Sequence, residues 1–331
     1  MGFKFTRRSV MTALVSSALV FSAATTTLAA DKIKLRLSAS SSETDQRAVS
    51  LIKKFGPAVS KFAEFEPHWN SSLFKQGTEL EAIARGNLEM SITSAQELAV
   101  FFPEFSIFTA GYVHRDAAHQ VAVFNDPLMA PFKKKVEDEL GVKLLSVMYL
   151  GRRQLNLRTD KKVTTPADLK GINLRMPGTD AWQFLGKALG ASPTPMSFSE
   201  VYTGLQTGAI DGQDNPLPTT VDKKFYEVTK QIVLTSHLVD LNYIAISKKL
   251  WDGLSADQQK TLQAASDEAA EFGRKNQLAQ EASLVDFIKK QGLKVYEPDL
   301  AAFRKRVQGM YLKSDYAKTW PKGLLDKVNS L

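Results

Sequence analysis

The chain has 331 residues, 44% of them hydrophobic and 24% charged, with a formal net charge of +8. That length allows two domains, and the composition excludes an intrinsically disordered chain. It has no cysteine, which excludes a disulfide framework, thiolate-bound zinc and c-type haem attachment.

Residues 1–30 read as a secretory signal peptide, to be cleaved near Ala30. Lys4, Arg7 and Arg8 form a positive start, Val10 to Phe21 is apolar, and small residues end in Leu28-Ala29-Ala30 ahead of Asp31. The run from Thr6 to Met11 also resembles a twin-arginine export signal, so the export route stays open. No later segment reaches the roughly 18 apolar residues of a membrane span, and an exported, soluble chain is expected. Loss of the leader removes three positive charges and no negative one, leaving a scattered +5. Lys133-Lys134-Lys135 and Lys161-Lys162 are short solvated runs without an aromatic–basic stripe, so no nucleic-acid partner is expected.

From there strand and helix alternate. Ile33 to Leu37 alternates apolar and charged residues as a strand does, and the Ser38–Ser42 turn, with Ser40 inside it, can cap the next helix. Apolar residues at helical spacing run over 44–63, with Gly56-Pro57 expected to kink or break the helix. A helix over about 79–84, ended by Gly86, leads to a strand at Met90 to Thr93. Residues 119–139 read as helix with Gly141 as its cap, and Val142 to Leu150 as a strand. Next come a strand at Ile172 to Met176 and a helix from about Thr179 to Leu189. A helix over 199–207, capped by Ser197 or Ser199, precedes a short strand opening at Ala209-Ile210. Val239 to Ser247 reads as a buried strand. The alternation predicts an α/β protein with largely parallel sheets, which bind ligands outside the carboxyl ends of their strands. Residues 255–292 hold no proline, keep one apolar face, start at a cap-like Ser255 and stop at Gly292. A helix of that length exceeds one small domain, so it is expected to run across both halves as a strut.

The residues that could carry chemistry gather in 151–218. Arg153 and Arg175 follow apolar segments, and a guanidinium offers paired donors matched to a carboxylate or sulfonate edge. Leu174-Arg175-Met176-Pro177 puts a charge inside an apolar strand, where an unpaired charge is costly. That context sets Arg175 apart from Arg152 and Arg158, which read as solvent-facing. Asn215 lies in Asp211-Gly212-Gln213-Asp214-Asn215-Pro216, a run that also reads as turn chemistry. Phe198 and Trp182 can be site walls or plain core. The four histidines, His68, His114, His119 and His237, lack metal-ligand spacing, and no nucleophile, phosphate-loop or metalloprotease motif is present. The His114-Arg115-Asp116 triplet matches a kinase catalytic loop by chance alone. No carboxylate pair stands isolated in an apolar setting. No metal, cofactor or catalytic residue is expected; the chemistry is that of holding a small anion.

The segment LKGINLRMP at 169–177, followed by GASPTPMSFSEVYTGLQTGAIDGQDNP at 190–216, resembles the signature of periplasmic solute-binding proteins of tripartite ATP-independent periplasmic (TRAP) transporters, the DctP-type family. QGTELEAIARGNLEMSI at 76–92, PEFSIFTAGYV at 103–113 and the long helix extend the likeness over nearly all the mature chain. The resemblance implies two α/β lobes around a closing cleft. Lobe I would hold 31–150 and 241–280, lobe II 151–240 and 281–331, with the helix at about 255–291 spanning both. It implies a periplasmic monomer that delivers a small organic anion to small and large membrane subunits for cation-gradient-driven uptake. Arg175 would make a bidentate salt bridge to the acid group, Arg153 and Asn215 would support it, and Phe198 would wall the site. Ser94, Trp182 and Ser40 complete the expected binding set. The sialic-acid-binding branch carries an acidic residue and an arginine where this chain has Ser94 and Glu97. Many members have Leu-Pro-Tyr where it has Ala110-Gly111-Tyr112. The expected ligand is therefore a short hydroxy or oxo carboxylate or a sulfonate such as isethionate, with a uronate-type sugar acid as the alternative. A sensory binding protein is the other alternative. An exported lyase would need Tyr112, His114 or Glu97 as a proton carrier, and nothing in the sequence isolates them.

Overall fold

Two strands of unusual length organise the molecule. The computed structural model describes Met1, Gly2 and residues 32–331; the expected signal peptide and its cleavage site lie outside the described residues. In chain order the strands are β1 (Ile33–Ser38), β2 (Ala63–His68), β3 (Met90–Thr93), β4 (Val142–Leu157), β5 (Asn173–Met176), β6 (Ser192–Pro195), β7 (Gly212–Pro216), β8 (Gln231–Ser247) and β9 (Lys294–Tyr296). They form one sheet in the order β2-β1-β3-β8-β4-β7-β5-β6, with β9 beside β8. β4 and β8 pair antiparallel along their whole length and belong to both halves of the sheet. One end of the ladder carries β3, β1 and β2, and the other carries β7, β5 and β6.

The α/β class and the two-lobed arrangement hold, but the sheet is mixed rather than largely parallel. The parallel pairs β1–β2, β1–β3, β5–β6 and β5–β7 lie within the halves. The antiparallel pairs β3–β8, β4–β8 and β4–β7 join them. The strand expected to stop at Leu150 continues to Leu157 because the ladder absorbs the interruption. Its register shifts between Tyr149 and Gly151, where Gly151 has φ +130°, a backbone that L side chains rarely adopt. β8 starts eight residues before the expected Val239, through a polar stretch whose side chains find partners only in the folded chain. Leu150-Gly151 is therefore mid-strand, not a strand end.

The helix over 46–59 is continuous despite Gly56-Pro57. A π-helical turn at Leu51–Phe55 closes on the Gly56 N–H, and Pro57 falls in the first turn of the next segment, where its missing donor needs no partner. Asp45 caps this helix, not a residue of the serine turn. The expected 119–139 helix is two helices, Ala117–Asn125 and Ala130–Leu140, separated by a Pro127–Met129 turn that Asp126 caps.

The long helix, Ala256–Lys290, starts at Ser255 with a Ser255–Gln258 capping box. Its 35 residues span about 50 Å. It follows β4 through side-chain bonds to strand backbone. Gln263 donates to the Leu145 carbonyl at 3.0 Å, Gln277 donates to the Leu150 carbonyl, and Glu281 accepts from the Arg152 N–H at 2.7 Å. The apolar core has two main clusters. One gathers Leu35, Leu37, Phe55, Met90, Ile246 and Leu262; the larger runs through both halves and includes Phe105, Phe108, Phe132, Leu174, Leu185 and Phe303.

Candidate functional site

Between the halves lies a cavity of about 550 Å³, solvent at its mouth included. All seven residues expected to bind ligand, Ser40, Ser94, Arg153, Arg175, Trp182, Phe198 and Asn215, line it. So do Arg47, Gln76, Asp240 and Asn242, none of which sequence reasoning placed there, and Glu97, which it named only by comparison with the sialic-acid-binding branch and as a proton carrier of the lyase alternative.

Arg175 is the penultimate residue of β5, which is buried from Leu174 to Met176. Its side chain is 1% exposed, one of the largest fully buried side chains in the molecule. Nε donates to the Met196 carbonyl at 2.9 Å and Nη2 to the Gln76 side-chain oxygen at 3.2 Å. The guanidinium carbon lies 5.5 Å from the centre of the Phe198 ring, within cation–π range. Among the described residues no carboxylate lies within ion-pair distance of it. Burial, and next the charge of Arg153, push its pKa down to about 9. The side-on edge is thus occupied by two neutral oxygens, while the charge itself has no counter-ion.

Arg153 differs in kind. Nε donates to Asp214 Oδ2 at 2.7 Å, Nη1 to Asp240 Oδ2 at 2.7 Å, and Nη2 to Asp214 Oδ1 at 3.1 Å. Its guanidinium carbon sits 4.6 Å from the centre of the Trp182 ring. Burial opposes its charge, but the two carboxylates more than offset that and hold its pKa above the ordinary arginine value. Asp214 also accepts from His237 Nε2 at 3.0 Å, with Thr235 Oγ1 on the other ring nitrogen. Burial works against the Asp214 charge, and Arg153 with His237 overcomes it.

Asn215 is a strand residue, paired with Gln154 across β4–β7, so the turn reading of 211–216 is corrected. Its amide donates to Gln213 Oε1 at 2.6 Å. Phe198 follows Ser197, which caps the next turn together with Glu200, and its N–H donates to Gln76 Oε1 at 3.0 Å. Trp182 lies on the inner side of the Asp180–Leu189 helix and is buried. Ser94 caps the Ala95–Leu98 turn: its Oγ accepts from the Glu97 N–H at 3.1 Å while Glu97 Oε2 accepts from the Ser94 N–H at 2.7 Å. Ser40 is half-buried in the turn after β1.

One expectation about carboxylates fails. Glu79 and Glu97, 18 positions apart in sequence, lie near each other, Glu79 buried and Glu97 half-buried on the cavity wall. Burial first, and the Glu97 charge next, push Glu79 up to about 8, and burial raises Glu97 as well. Glu79 opens one short helix and Glu97 closes the capping box of another, so their local roles are visible in sequence but their nearness is not. The His114–Asp116 triplet has a structural explanation: Asp116 accepts from the His119 N–H at 2.8 Å as a helix cap. His114 and His119 do meet, their ring centres 5.3 Å apart, in the core away from the cavity.

The two halves also touch across the cleft. Ser42 and Thr44, in the turn after β1, both donate to the Asp222 carboxylate, and Lys223 donates to Asn70 Oδ1 at 2.8 Å. With Gln76 on Arg175 and Phe198, these contacts describe a closed cleft.

Residues 43–318 match the family described as "Bacterial extracellular solute-binding protein, family 7". The chain is 30% identical over 301 residues to the sialic acid-binding periplasmic protein of Vibrio cholerae, covering 90% of this chain and 92% of that one. It resembles the crystal structure of a TRAP periplasmic solute-binding protein from Roseobacter denitrificans with bound 3-deoxy-D-manno-oct-2-ulosonic acid. That likeness has a TM-score of 0.90 and 67% identity, over 91% of this chain and 99% of the other. A second protein from Roseobacter denitrificans, with bound L-galactonate, has a TM-score of 0.82 and 28% identity, over 90% of this chain and 98% of the other.

Proposed function

The chain belongs to family 7 of the bacterial extracellular solute-binding proteins, and from that premise we propose that it is the periplasmic receptor of a TRAP transporter for a polyhydroxylated sugar acid. The foremost candidate is 3-deoxy-D-manno-oct-2-ulosonic acid, the ligand of the relative that shares 67% of its residues. This reading favours the sugar acid over the short hydroxy or oxo acid and the isethionate-like sulfonate. Support comes from the lining, where Ser40, Ser41, Ser94, Asn215, Thr219 and Asn242 offer hydroxyl and amide groups along the cavity.

The observation that carries the proposal is Arg175, a buried cation in a cavity with no counter-ion of its own. An incoming carboxylate supplies that counter-ion. With Nε held by Met196 and one Nη2 proton by Gln76, the end-on fork of Nη1 and Nη2 is left for a bidentate bond. Phe198 covers the guanidinium and Asn215 supports the acid group, while Arg153, paired with Asp214 and Asp240, braces the wall of the site. Lobe I is taken as 31–150 with 241–280 and lobe II as 151–240 with 281–331. The bound anion is handed to small and large membrane subunits, and the protein does no chemistry on it.

Titration calorimetry at neutral pH with 3-deoxy-D-manno-oct-2-ulosonate, L-galactonate, pyruvate and isethionate tests this. The two sugar acids should bind at least about tenfold more tightly than the other two. Isethionate or pyruvate binding more tightly than both sugar acids would return the ligand to the short acids.

A further inference from the structure

We propose that Glu97, backed by Glu79, restricts the site to acids carrying a single negative charge, by presenting a carboxyl wall to the part of the ligand remote from Arg175. This rests on the reading of Arg175 as the acid-group fork. The side chains that line the cavity include three arginines, Arg47, Arg153 and Arg175, and two acids, Glu97 and Asp240. Arg47 is committed: Nε and Nη2 donate to the two oxygens of Asp45 at 2.8 and 2.9 Å, and Nη1 to Asn242 Oδ1 at 2.7 Å. Arg153 is committed to Asp214 and Asp240. Arg175 alone has charge to give, so the cavity neutralises one acid group.

The other half contributes the opposite sign. Glu97 Oε2 accepts from the Ser94 N–H at 2.7 Å and from Thr93 Oγ1 at 3.1 Å. Among the described residues Oε1 has no hydrogen-bond partner and neither Glu97 nor Glu79 has a cation within ion-pair distance. Behind it, Glu79 Oε2 accepts from the Gly77 N–H at 2.7 Å and is buried. A ligand hydroxyl suits such a wall in either protonation state, since it donates to a carboxylate and accepts from a carboxylic acid. A second ligand carboxylate does not suit an ionised Glu97, because like charges facing each other in a water-poor cleft repel strongly and the other lining arginines are already paired.

Galactonate and galactarate make the comparison, because they differ only in replacing a terminal hydroxymethyl group by a second carboxylate. Calorimetry on the whole mature protein should find galactarate at least about tenfold weaker than galactonate. Glu97→Gln keeps the helix cap and should improve galactarate binding relative to galactonate by about tenfold. Glu79 is largely uncharged at neutral pH, so Glu79→Gln should leave the preference unchanged, and if the Glu97 variant fails to fold, as judged by its melting curve, the preference of the unmodified protein for galactonate carries the comparison. Equal binding of the two acids by the unmodified protein overturns the inference. So does a Glu97→Gln protein with no gain for galactarate, whether binding is weak or absent. Those results leave the sugar-acid reading standing. Galactonate binding unchanged in Arg175→Met instead removes the acid-group fork itself.

Discussion

Replacing Arg175 by methionine should make the ligand-free protein more stable while destroying its capacity to bind. Burial, with Arg153 next, takes this guanidinium more than three pH units down from the ordinary arginine value, to about 9. At about 1.4 kcal/mol per pH unit, that is about 5 kcal/mol of disfavoured charge. A base whose folded pKa is depressed gives stability only above its unfolded value and loses it as pH falls through the folded one. At pH 7, below both, the whole cost is present. Methionine keeps an unbranched chain and removes the charge, but strips one donor from the Met196 carbonyl and one from Gln76, which costs about 1–3 kcal/mol. The balance is a gain of about 2–4 kcal/mol, or roughly 4–8 °C in melting temperature for a chain of this size. Scanning calorimetry with and without 3-deoxy-D-manno-oct-2-ulosonate reads both effects. The unmodified protein should be raised by ligand, and the variant should start higher and not respond. A variant that melts several degrees below the unmodified protein without ligand would mean that this arginine is a structural group, and the reasoning fails.

Arg153→Met should do the reverse. It strands Asp214 and Asp240 in the core, so urea unfolding should show a loss of about 3–5 kcal/mol; a change under 1 kcal/mol would contradict the paired assignment. Glu79→Gln should flatten the pH dependence of stability. A carboxyl raised from 4.5 to about 8 supports the fold below about pH 4.5 and loses that support as pH rises to about 8, so thermal melts across that window should fall in the unmodified protein and fall less steeply in the variant, where Glu97 alone remains raised. Asp222→Ala removes the acceptor shared by Ser42 and Thr44, and stopped-flow fluorescence should show ligand release a few-fold faster with association little changed. Unaltered release would show that this contact plays no part in holding the cleft shut.

Local chemistry was the legible part of the sequence. Met90–Thr93, Glu79–Ala84 and the 35-residue helix from Ser255 appear where periodicity, caps and glycines put them, because each is fixed by neighbours within a few positions. Arg175 was visible because a charge in an apolar strand is anomalous by itself. What sequence could not carry was pairing at long range. β4 passes Gly151-Arg152-Arg153 only because Asp214 and Asp240, 61 and 87 positions away, neutralise Arg153. The same ignorance hid the Glu79–Glu97 pair and the reach of Gln76 to Arg175. It also made Arg153 and Arg175 look alike.

Their difference bears on how the cleft can work. The contacts that cross it, Asp222 to Ser42 and Thr44, Lys223 to Asn70, and Gln76 to Arg175 and Phe198, are a handful of hydrogen bonds, exposed or half-buried. Each contributes about 1 kcal/mol net, and the mobility given up on closing offsets much of that. Closing an empty cleft also takes water from Arg175 without giving it a counter-ion, so the charge itself argues against closure. A carboxylate changes the sign of that term, since the same desolvation then strengthens an ion pair. Ligand can bias the two states only through contacts that differ between them, and the Arg175 fork is such a contact. Arg153, neutralised in advance by its own strand neighbours on β7 and β8, has the same electrostatic energy with or without ligand and cannot serve as that trigger.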